Sequence, residues 1–248
     1  MDYDFIKDFE NLGIKKGDVI LMHSSMKALK TTISPEEFLS LLLDYLGEKG
    51  TLLLPALSYE LCSQEDPTFD VFNTPACIGL LPNVFLKMDG VIRSVHPSHS
   101  CAGKGYLAKE ILSNHYLDRT PMGENSPFRK VAEYGGKILM VGDVIEHNTL
   151  MHAVEEIGGA PYCLRKETKN FTVIGYDKVP QVQAHYCHDF TTVKELYYPN
   201  IVELLPDYAI STGRIASANC TLMLASEILD KGVKAVKEDP WYFADAKD

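Results

Sequence analysis

Two buried strands joined through one well-marked helix are the feature that most limits how this chain can fold. Residues 18–22 and 51–57 are short apolar runs, as expected of strands that are covered on both faces. Between them, the sequence SPEE at residues 34–37 marks a helix start, because its serine and last glutamate can cap each other and its proline fits the first turn. Strands connected in this way run parallel in one sheet. The pattern predicts an α/β protein whose central sheet is flanked by helices.

Further periodic segments extend this sheet and cover it. An amphipathic helix is predicted over residues 5–12, a third buried strand over 137–141 and a closing helix over 222–236. Weaker patterns predict a helix over 78–88, a strand over 91–97, a helix over 106–112 and a hairpin over 171–182. We expect a single domain over residues 1–248, with residues 163–200 as a candidate peripheral lobe that is rich in β-structure.

The acidic composition limits the partners that this protein can bind. The chain has 248 residues, with 24 Lys and Arg against 34 Asp and Glu, which gives a net charge of −10. Nucleic acid requires clustered positive charge, whereas a negative field attracts cationic small molecules. Every apolar run is far shorter than the ~20 residues of a membrane span. We therefore expect a small-molecule partner, and neither nucleic acid nor a membrane.

Cysteine usage and the amino-terminal segment favour a cytoplasmic protein. The six cysteines are scattered without a CxxC pair, as in proteins whose thiols stay reduced. The first residues are acidic and amphipathic, unlike the basic segment and apolar stretch that mark export. We expect a cytoplasmic protein without disulfide bonds, either a monomer or a homodimer.

Small polar residues follow the first predicted strand, at the edge where such sheets bind ligands. His23, Ser24 and Ser25 come directly after residues 18–22, and ligands gather at the carboxyl ends of parallel strands. Hydroxyl groups and free amides there suit a phosphate or a carbonyl oxygen. The structural alternative is a plain turn, in which serine is common. Residues 58–77, after the next strand, lack periodicity and predict a long functional loop.

A second polar cluster lies on the short strand predicted at residues 91–97. Arg93, Ser94 and His96 belong to a run of eight residues with one permanent cation, two imidazoles and three hydroxyls. This density favours a binding role over a purely structural strand. The alternative is that Arg93 forms a structural salt bridge and that His96 only precedes a proline turn.

His152 and Glu155 are three residues apart on a predicted helix that begins near Thr149. The spacing places all three side chains on one face of that helix. A carboxylate that accepts from one ring nitrogen leaves the other nitrogen free to remove a proton, so His152 could serve as a general base. The alternative is a partly buried histidine beside a surface pair of glutamates, and the spacing alone does not decide between them.

A cluster of metal-ligand residue types occurs at His185, Cys187, His188 and Asp189. Its spacing matches no standard zinc motif, and the sequence contains no HExxH, paired CxxC, GxSxG or Walker phosphate-loop motif. We therefore expect no metal. A metal-dependent hydrolase built on the two histidines and the thiol is the alternative.

Six short motifs along the chain are informative through their order. They are a strand ending in His-Ser-Ser, then Gly-Thr-Leu-Leu-Leu-Pro, Phe-x-x-x-x-Thr-Pro, Arg-Ser-x-His-Pro-x-x-Ser, Met-Gly-x-x-Ser-Pro and Asn-Thr-x-x-His-x-x-Glu. They occupy residues 19–25, 50–55, 69–75, 93–100, 122–127 and 148–155. In this order they resemble the aminoglycoside 3-N-acetyltransferase family, and the resemblance covers about residues 11–235.

The resemblance implies an α/β fold, acetyl-CoA as the acetyl donor and an amine of an aminoglycoside as the acceptor. It implies that His152 is the catalytic base and that Asn148, Thr149 and Glu155 line the acceptor cleft. It also implies that six residues lie along the coenzyme A site, namely His23, Ser24, Ser25, Arg93, Ser94 and His96.

Two departures from the family pattern concern the acceptor cleft and the orientation of the base. The family usually has Asp six residues before its histidine, where this chain has Glu146, followed by His147 in place of a small residue. Both replacements enlarge side chains at the cleft, where we expect Glu146 to contact the acceptor. The family also orients its histidine with a downstream carboxylate, for which Asp189 is the candidate here.

The chemistry agrees with these assignments. An amine attacks a thioester only after it loses a proton, which His152 can accept, while negative side chains hold the remaining cationic amines. Amides around Ser24 and Ser25 could stabilise the oxyanion that forms. Because positioning removes much of the barrier, no covalent acyl-enzyme is required, and neither Ser24 nor Cys101 is assigned as a nucleophile.

The sequence thus favours an acetyl-CoA-dependent N-acyltransferase that acetylates an aminoglycoside-like amine by direct attack, with Glu155 or Asp189 assisting His152. The same scaffold acylating a different amine is one alternative. A non-catalytic protein that binds coenzyme A or an aminoglycoside is another.

Overall fold

The computed structural model describes residues 3–247, in which nine α-helices and twelve strands are mixed along the chain. The helices are α1 (Phe5–Leu12), α2 (Met26–Leu29), α3 (Pro35–Leu46), α4 (Leu81–Phe85), α5 (Ala108–Leu112), α6 (Pro127–Glu133), α7 (Leu150–Gly158), α8 (Ile201–Leu204) and α9 (Ala225–Glu238). The strands are β1 (Val19–Ser24), β2 (Thr51–Pro55), β3 (Thr68–Asp70), β4 (Ile92–Arg93), β5 (Cys101–Gly105), β6 (Lys137–Val141), β7 (Lys169–Ile174), β8 (Pro180–His185), β9 (Val193–Leu196), β10 (Ile210–Ile215), β11 (Ala218–Leu224) and β12 (Ala244–Ala246). Within this range, every helix is too short or too polar to cross a lipid bilayer.

The central sheet has seven strands in the order β10-β11-β6-β1-β2-β5-β4. Its middle strand β1 pairs parallel with β2 and with β6, which confirms the predicted strand–helix–strand unit. Antiparallel strands extend the sheet on both sides, with β5 and β4 beyond β2, and β11 and β10 beyond β6. The carboxyl ends of β1 and β6 therefore lie side by side, and each leads into a loop at the same edge.

Both faces of this sheet are covered, as the apolar strands require. Alternate residues of β1 enter different clusters: Leu21 packs with α6, α7 and α9, whereas Ile20 and Met22 pack with α1 and α3. All three side chains are almost completely buried. The predicted α/β class, with helices flanking a central sheet, is confirmed.

The helix between the parallel strands begins and ends as its sequence predicts. The hydroxyl of Ser34 accepts the amide of Glu37 at 3.2 Å, and the Glu37 carboxylate accepts the amide of Ser34 at 2.9 Å. At the other end, Gly47 has a φ of 71°, which favours glycine, and its amide donates to the carbonyl of Leu43. These caps fix the length of α3 and therefore the spacing between β1 and β2.

Helices α7 and α9 approach each other closely because α9 has a glycine at the contact. A Cβ placed at Gly232 would lie 2.8 Å from Cγ1 of Val154, a distance that side chains do not tolerate. The glycine thus allows α9 to press against the helix that carries His152. Helix α7 also contacts α6, and its buried residues belong to the same apolar cluster as Leu21 of β1.

The smaller sheets lie outside the central one. Strands β7 and β8 form the predicted hairpin, and β3 joins it parallel to β7. Phe69, Phe171 and Val173 form a small apolar cluster there. Because β3 comes from residues 68–70, this sheet is not confined to residues 163–200, and β9 from that range pairs instead with β12. A single domain over the whole chain remains a prediction.

Several predicted boundaries are wrong. The closing helix begins at Ala225, because residues 222–224 belong to β11, where pairing with β6 and β10 overrides their helical spacing. The helix predicted over 78–88 covers only Leu81–Phe85, and the strand predicted over 91–97 covers only Ile92–Arg93. Strands β5 and β10 and helix α6 were not predicted, since glycine-containing strands and short helices carry weak patterns.

Candidate active site

His152 lies near the start of α7, where two partners hold its ring nitrogen Nδ1. Oε2 of Glu155 is 3.2 Å from Nδ1, and the hydroxyl of Tyr198 is 3.0 Å from it. Tyr198 also donates to Oε2 of Glu155 at 2.9 Å, so the three groups form a triangle. The side chain of Glu155 is fully buried, whereas that of His152 is 17% exposed. A substrate can therefore reach the ring but not the carboxylate behind it.

This triangle determines which nitrogen of His152 carries the hydrogen. Tyr198 donates its single hydroxyl hydrogen to Glu155, so Nδ1 must be the donor in its own two contacts. Nε2 is then the acceptor, as a general base requires. Burial raises the pKa of Tyr198 well above its usual value, and the nearby charge of Glu155 adds to this effect. The phenol therefore stays protonated and keeps its role as donor.

Besides Tyr198, whose ring centroid is 5.6 Å away, three aromatic side chains surround the ring of His152. The ring centroid of His188 is 4.6 Å from that of His152, that of His99 is 5.9 Å away, and that of Phe190 is 5.4 Å away. His99 and His188 also contact each other edge to face at 4.5 Å. The candidate base thus belongs to a cluster of three histidines with one apolar wall.

A second glutamate supports His188. Oε1 of Glu156 lies 3.0 Å from Nε2 of His188 and accepts the amide of Met122 at 2.9 Å. Burial raises the pKa of Glu156 to about 7. Burial also lowers the pKa of His188 well below its usual value, and the nearby His152 adds to this effect. His188 is therefore a neutral ring whose Nε2 is paired with Glu156.

His23 joins the end of β1 to the start of α7. Its Nε2 accepts the amide of Thr149 at 3.0 Å and lies 3.0 Å from the Thr149 hydroxyl. Burial lowers the pKa of His23 to about 3, so the ring is neutral and can accept both hydrogens. The resemblance implied a coenzyme A contact for His23 and an acceptor contact for Thr149. The structure shows instead that each side chain is engaged by the other.

The two serines after His23 differ from the expectation in one respect. Ser24 and Ser25 are half-buried at the end of β1, and the hydroxyl of Ser25 does not cap the short helix α2. The amide of Ser25, however, donates to the carbonyl of Val141 at 2.8 Å and so extends the sheet. That amide is not free to stabilise an oxyanion, whereas the hydroxyl groups remain available to a ligand.

Arg93 is buried inside the protein, with its guanidinium group directed at the main chain. Its Nε donates to the hydroxyl of Ser100 at 2.8 Å, and NH2 donates to the carbonyl of Ala56 at 2.8 Å. NH1 donates to the carbonyl of Thr74, and the group lies 4.9 Å from the centre of the Phe69 ring. Burial lowers the pKa of Arg93 to about 10. The guanidinium group ties Thr74, in the loop of residues 58–77, to β4.

Ser94 and His96 are also turned inward. The hydroxyl of Ser94 accepts the amide of Cys101 at 2.8 Å and lies 2.9 Å from Nδ1 of His115. The fully buried ring of His96 stacks on His115 at 4.7 Å and meets the ring of His185 edge to face at 5.0 Å. These side chains pack inside the protein, each against an internal partner.

The segment before α7 contains the residues predicted for the acceptor cleft. The side chain of Glu146 is 52% exposed and lies 3.8 Å from that of His147. Asn148 is fully buried, and its Oδ1 accepts the amide of Leu150 at 3.2 Å, which helps to start the helix. Glu146 is therefore accessible to an acceptor, whereas Asn148 shapes the turn from inside.

The carboxylate of Asp189 is not directed at His152. Its Oδ1 accepts the amide of Thr191 at 3.1 Å. The hydroxyl of Thr191, and to a smaller extent this amide, lower the pKa of Asp189. The carboxylate that contacts His152 is that of Glu155. Of the two residues predicted to assist the base, the structure brings only Glu155 to it.

The metal-ligand set of the alternative hypothesis is not brought together. Nε2 of His185 lies 3.2 Å from Oε1 of Gln183, and its ring packs on His96, while the Cys187 thiol lies in the cluster around Phe171. All six cysteines are free thiols. His188 belongs instead to the cluster around His152.

Residues that the sequence analysis did not assign complete the site. His99 lies in the dense polar run at 93–100, which could have suggested it. Glu156 is next to Glu155 and was considered only as a surface residue. Tyr198 lies 46 positions from His152 and carries no recognisable motif, so only the folded chain reveals it.

A cavity of about 700 Å³ lies apart from this cluster. It is lined by β4, α5 and the β7–β8 hairpin, including Arg93, Tyr176 and Gln181. Among the residues that the structure describes, its lining includes none of the three clustered histidines. The hydroxyl of Tyr176 donates to the carbonyl of Arg93 and accepts its amide, which closes one side of the cavity.

Comparison with known proteins supports the resemblance. Residues 21–237 match the family model described as Aminoglycoside 3-N-acetyltransferase. Over 173 residues the chain is 30% identical to aminoglycoside N(3)-acetyltransferase VII of Streptomyces paromomycinus, which covers 62% of this chain and 60% of that protein. The chain thus spans about three fifths of that relative. Aminoglycoside N(3)-acetyltransferase III of Serratia marcescens is 27% identical, with 93% of this chain and 95% of the relative covered.

A solved structure has a similar fold over nearly its whole length. The structure of AAC-IIIb in binary complex with CoASH superimposes with a TM-score of 0.80 at 27% sequence identity, covering 94% of this chain and 95% of that one. Because the family match extends over most of the sequence and the architecture agrees with it, this chain belongs to the aminoglycoside 3-N-acetyltransferase family.

Proposed function

We propose that this protein transfers the acetyl group of acetyl-CoA to an amine of a cationic, aminoglycoside-like acceptor, with His152 as general base. The observation that carries the proposal is the contact of Nδ1 of His152 with Glu155 and Tyr198, which leaves Nε2 as a partly exposed acceptor. A partly buried histidine without such partners would not have a fixed tautomer. The aminoglycoside N(3)-acetyltransferase names of the relatives support the reaction class.

The donor is proposed from AAC-IIIb, which was solved with CoASH. In this chain the hydroxyl groups of Ser24 and Ser25 are the available polar groups at the end of β1, so we assign them to coenzyme A. His23, Arg93, Ser94 and His96, which have internal partners, support that surface from beneath. In this assignment Ser24 and Ser25 contact the cofactor, whereas the other four residues hold the two serines in position.

The reaction proceeds by direct attack. Nε2 of His152 takes a proton from the acceptor amine as the amine nitrogen forms a bond to the thioester carbonyl carbon. The carbon–sulfur bond then breaks, the coenzyme leaves as a thiolate, and the imidazolium can return the proton to the sulfur. Glu155 acts as a positioning residue, because it is buried behind the ring and stabilises the imidazolium that forms.

No acyl-enzyme is needed for this route. The thiol of Cys101 is fully buried and donates to the carbonyl of Leu54 at 3.2 Å. Burial raises its pKa, so the thiolate that a nucleophile requires is not formed near neutral pH. Cys101 is therefore structural.

The acceptor class is proposed from charge as well as from the relatives. The net charge of −10 attracts a polycationic molecule, and the half-exposed Glu146 offers a carboxylate near the start of α7. Asp189 is held by its own turn and has no assigned step in this proposal. The protein acts as a monomer or a homodimer in this proposal.

The test is the release of coenzyme A in the presence of acetyl-CoA and a panel of aminoglycosides and other polyamines. His152→Gln should lower kcat by about 10²–10⁴-fold, the usual contribution of a general base. Glu36→Gln, which changes an exposed glutamate on α3, is the control and should retain most of the activity. Activity of His152→Gln within tenfold of wild type would exclude His152 as the base.

The same panel separates the alternatives. Turnover of another amine, but of no aminoglycoside, would assign the scaffold to a different acceptor. Coenzyme A binding in a calorimeter without turnover of any amine would indicate a binding protein.

A further inference from the structure

Three histidine rings from separate segments converge at the candidate active site. His99 lies between β4 and β5, His152 lies on α7, and His188 follows β8. One ring nitrogen of each lies within 4.8 Å of one ring nitrogen of each of the other two. Histidine is the commonest metal ligand in proteins, and three imidazoles are the ligands of some zinc sites.

Each ring already has one nitrogen engaged by a protein partner. Nδ1 of His99 lies 3.0 Å from the hydroxyl of Ser98. Nε2 of His188 lies 3.0 Å from Oε1 of Glu156, and Nδ1 of His152 has the partners described above. Histidines that bind metals usually have such outer partners, which fix the tautomer and the direction of the ring.

These contacts leave one nitrogen on each ring, namely Nε2 of His99, Nε2 of His152 and Nδ1 of His188. Within residues 3–247, no group donates a hydrogen bond to any of the three. When the engaged nitrogen of each ring carries the hydrogen, these three atoms present lone pairs that repel one another, and a cation between them turns this repulsion into attraction. The arrangement is therefore better suited to a cation than to a fourth protein group.

We propose that His99, His152 and His188 bind a divalent transition metal, specifically Zn²⁺, and that the bound metal reversibly inhibits acetyl transfer. The inhibitory part rests on the proposed function of His152. Nitrogen ligands favour zinc and its neighbours in the periodic table over Mg²⁺ and Ca²⁺, which prefer oxygen. The metal coordinates the same lone pair of Nε2 that takes the proton of the amine, so metal binding and catalysis exclude each other.

The geometry requires a small closure of the three rings. A tetrahedral zinc with nitrogen ligands at 2.0–2.1 Å places those nitrogens about 3.3 Å apart. From separations of at most 4.8 Å, the rings must approach by no more than about 1.5 Å. Three protein ligands leave a fourth position for water, as in zinc sites that stay open to solvent.

Co²⁺ is the spectroscopic probe, because it binds zinc sites and has visible absorption bands that are intense in tetrahedral coordination. The full-length protein, freed of metal with a chelator, is titrated with Co²⁺ and then with Zn²⁺. We expect bands that saturate at one equivalent of Co²⁺ and disappear as Zn²⁺ replaces it. In parallel, Zn²⁺ should inhibit the release of coenzyme A, and a chelator should restore it.

Four variants test the ligand set. His99→Gln and His188→Gln should weaken Co²⁺ binding by more than about 100-fold, since even the loss of an outer partner costs 10–100-fold. His147→Ala removes an exposed histidine outside the site and should leave the bands unchanged. Cys163→Ser tests the neighbouring group of Glu156, Cys163 and His188, whose ligand atoms also lie within 4.8 Å of one another. It should keep the bands if the metal is bound by the three histidines.

Each outcome has a distinct meaning. The absence of absorption bands at millimolar Co²⁺ would overturn the proposal. Bands that persist in His99→Gln would also overturn it, and so would the loss of the bands in Cys163→Ser. If a glutamine variant does not fold, the order of addition in the wild type still decides, because Zn²⁺ must displace Co²⁺ and inhibit over the same concentration range. Metal binding by a protein without transferase activity would contradict the proposed function and leave the metal site standing. Inhibition by Zn²⁺ without Co²⁺ absorption bands would contradict the three-histidine metal site and leave the proposed transferase function standing.

Discussion

The hydroxyl of Tyr198 donates to the buried carboxylate of Glu155 at 2.9 Å, across 43 positions of sequence. This contact keeps the carboxylate oxygen beside Nδ1 of His152 and fixes the direction of the ring. In the proposed reaction the tyrosine is a positioning residue that never meets the substrate. Its contribution can be separated from that of the glutamate by substitution.

Tyr198→Phe removes the hydroxyl and leaves the ring in place. A hydrogen bond to a charged group contributes about 1.5–3 kcal/mol, so kcat should fall by about 10–150-fold. The KM for both substrates should stay within twofold, because the hydroxyl lies behind the base. The pH–rate profile of the variant should be shifted from that of the wild-type enzyme, because the surroundings of His152 change. An unchanged profile together with an unchanged kcat would contradict this role.

Glu155→Gln should have a larger effect. The amide has no negative charge to stabilise the imidazolium, and it can present a hydrogen to Nδ1, which would favour the wrong tautomer. We expect kcat to fall by about 10²–10⁴-fold, near the effect of losing the base itself. Asp189→Asn is the matched control, because its carboxylate contacts Thr191 and not His152. A larger loss in the control than in Glu155→Gln would reverse the assignment of the orienting acid.

Arg93→Lys should affect stability more than cofactor binding. Lysine can replace only part of the contacts of the guanidinium group to Ala56, Thr74 and Ser100, and hydrogen bonds to charged groups contribute about 1.5–3 kcal/mol each. We expect the free energy of unfolding to fall by about 2–4 kcal/mol in urea titrations. The KM for acetyl-CoA of the folded variant should change by less than threefold. A large rise in KM without loss of stability would restore Arg93 as a cofactor contact.

Stability should fall as the pH decreases below about 6.5. Burial lowers the pKa of His23 and of His115 to about 3 and that of His185 to about 4, whereas unfolded histidine titrates near 6.5. Between these values the unfolded chain binds more protons, so each histidine destabilises the fold by up to about 1.4 kcal/mol per pH unit. The raised pKa of Glu156, about 7, acts in the opposite direction but is one group against three.

Urea titrations between pH 7.5 and 4.5 measure this dependence. His23→Gln keeps an acceptor for the amide of Thr149 and should flatten the slope by the share of one histidine. Lys87→Ala, at an exposed position outside the histidine cluster, should leave the slope unchanged. A free energy of unfolding that rises as the solution becomes more acidic would contradict the prediction.

Gly232→Ala should be destabilising although alanine is the better helix former. The helical preference favours alanine by about 0.5–1 kcal/mol, whereas overpacking against Val154 costs about 1–3 kcal/mol. We expect a net loss of about 1–2 kcal/mol in the free energy of unfolding. In a Val154→Ala background the same change should become neutral or stabilising. A loss of equal size in both backgrounds would show that the close contact is not the cause.

The parts of the fold that could be predicted from sequence are those with strong local signals. The capping box of α3 and the apolar strands β1, β2 and β6 were found because caps and buried strands have distinct compositions. Strand β11 was missed because its leucines fit helical spacing equally well, and only its two neighbours in the sheet make it a strand. Such long-range pairing leaves no mark in a short window of sequence.

The candidate active site could likewise be predicted only where the signal is local in the sequence. His152 and Glu155 were linked because helical spacing alone brings them to one face, and the structure adds their contact. The polar run around Arg93 was correctly seen as unusual, but the density of polar groups reflects buried contacts to the main chain. Tyr198 could not be predicted, because its position depends on how a distant turn folds back on α7. Local geometry could be inferred, whereas the direction of buried polar groups could not.

The close packing of α7 against α9 also affects the order in which the protein becomes functional during translation. The helix carrying His152 ends at Gly158, whereas α9 ends at Glu238, 80 residues later, yet one face of α7 is covered only by that later helix. Strand β6 likewise waits for β11. A nascent chain therefore exposes apolar surface around its future catalytic centre until the last helix emerges. Chaperones that bind apolar surface should act on the chain during this interval.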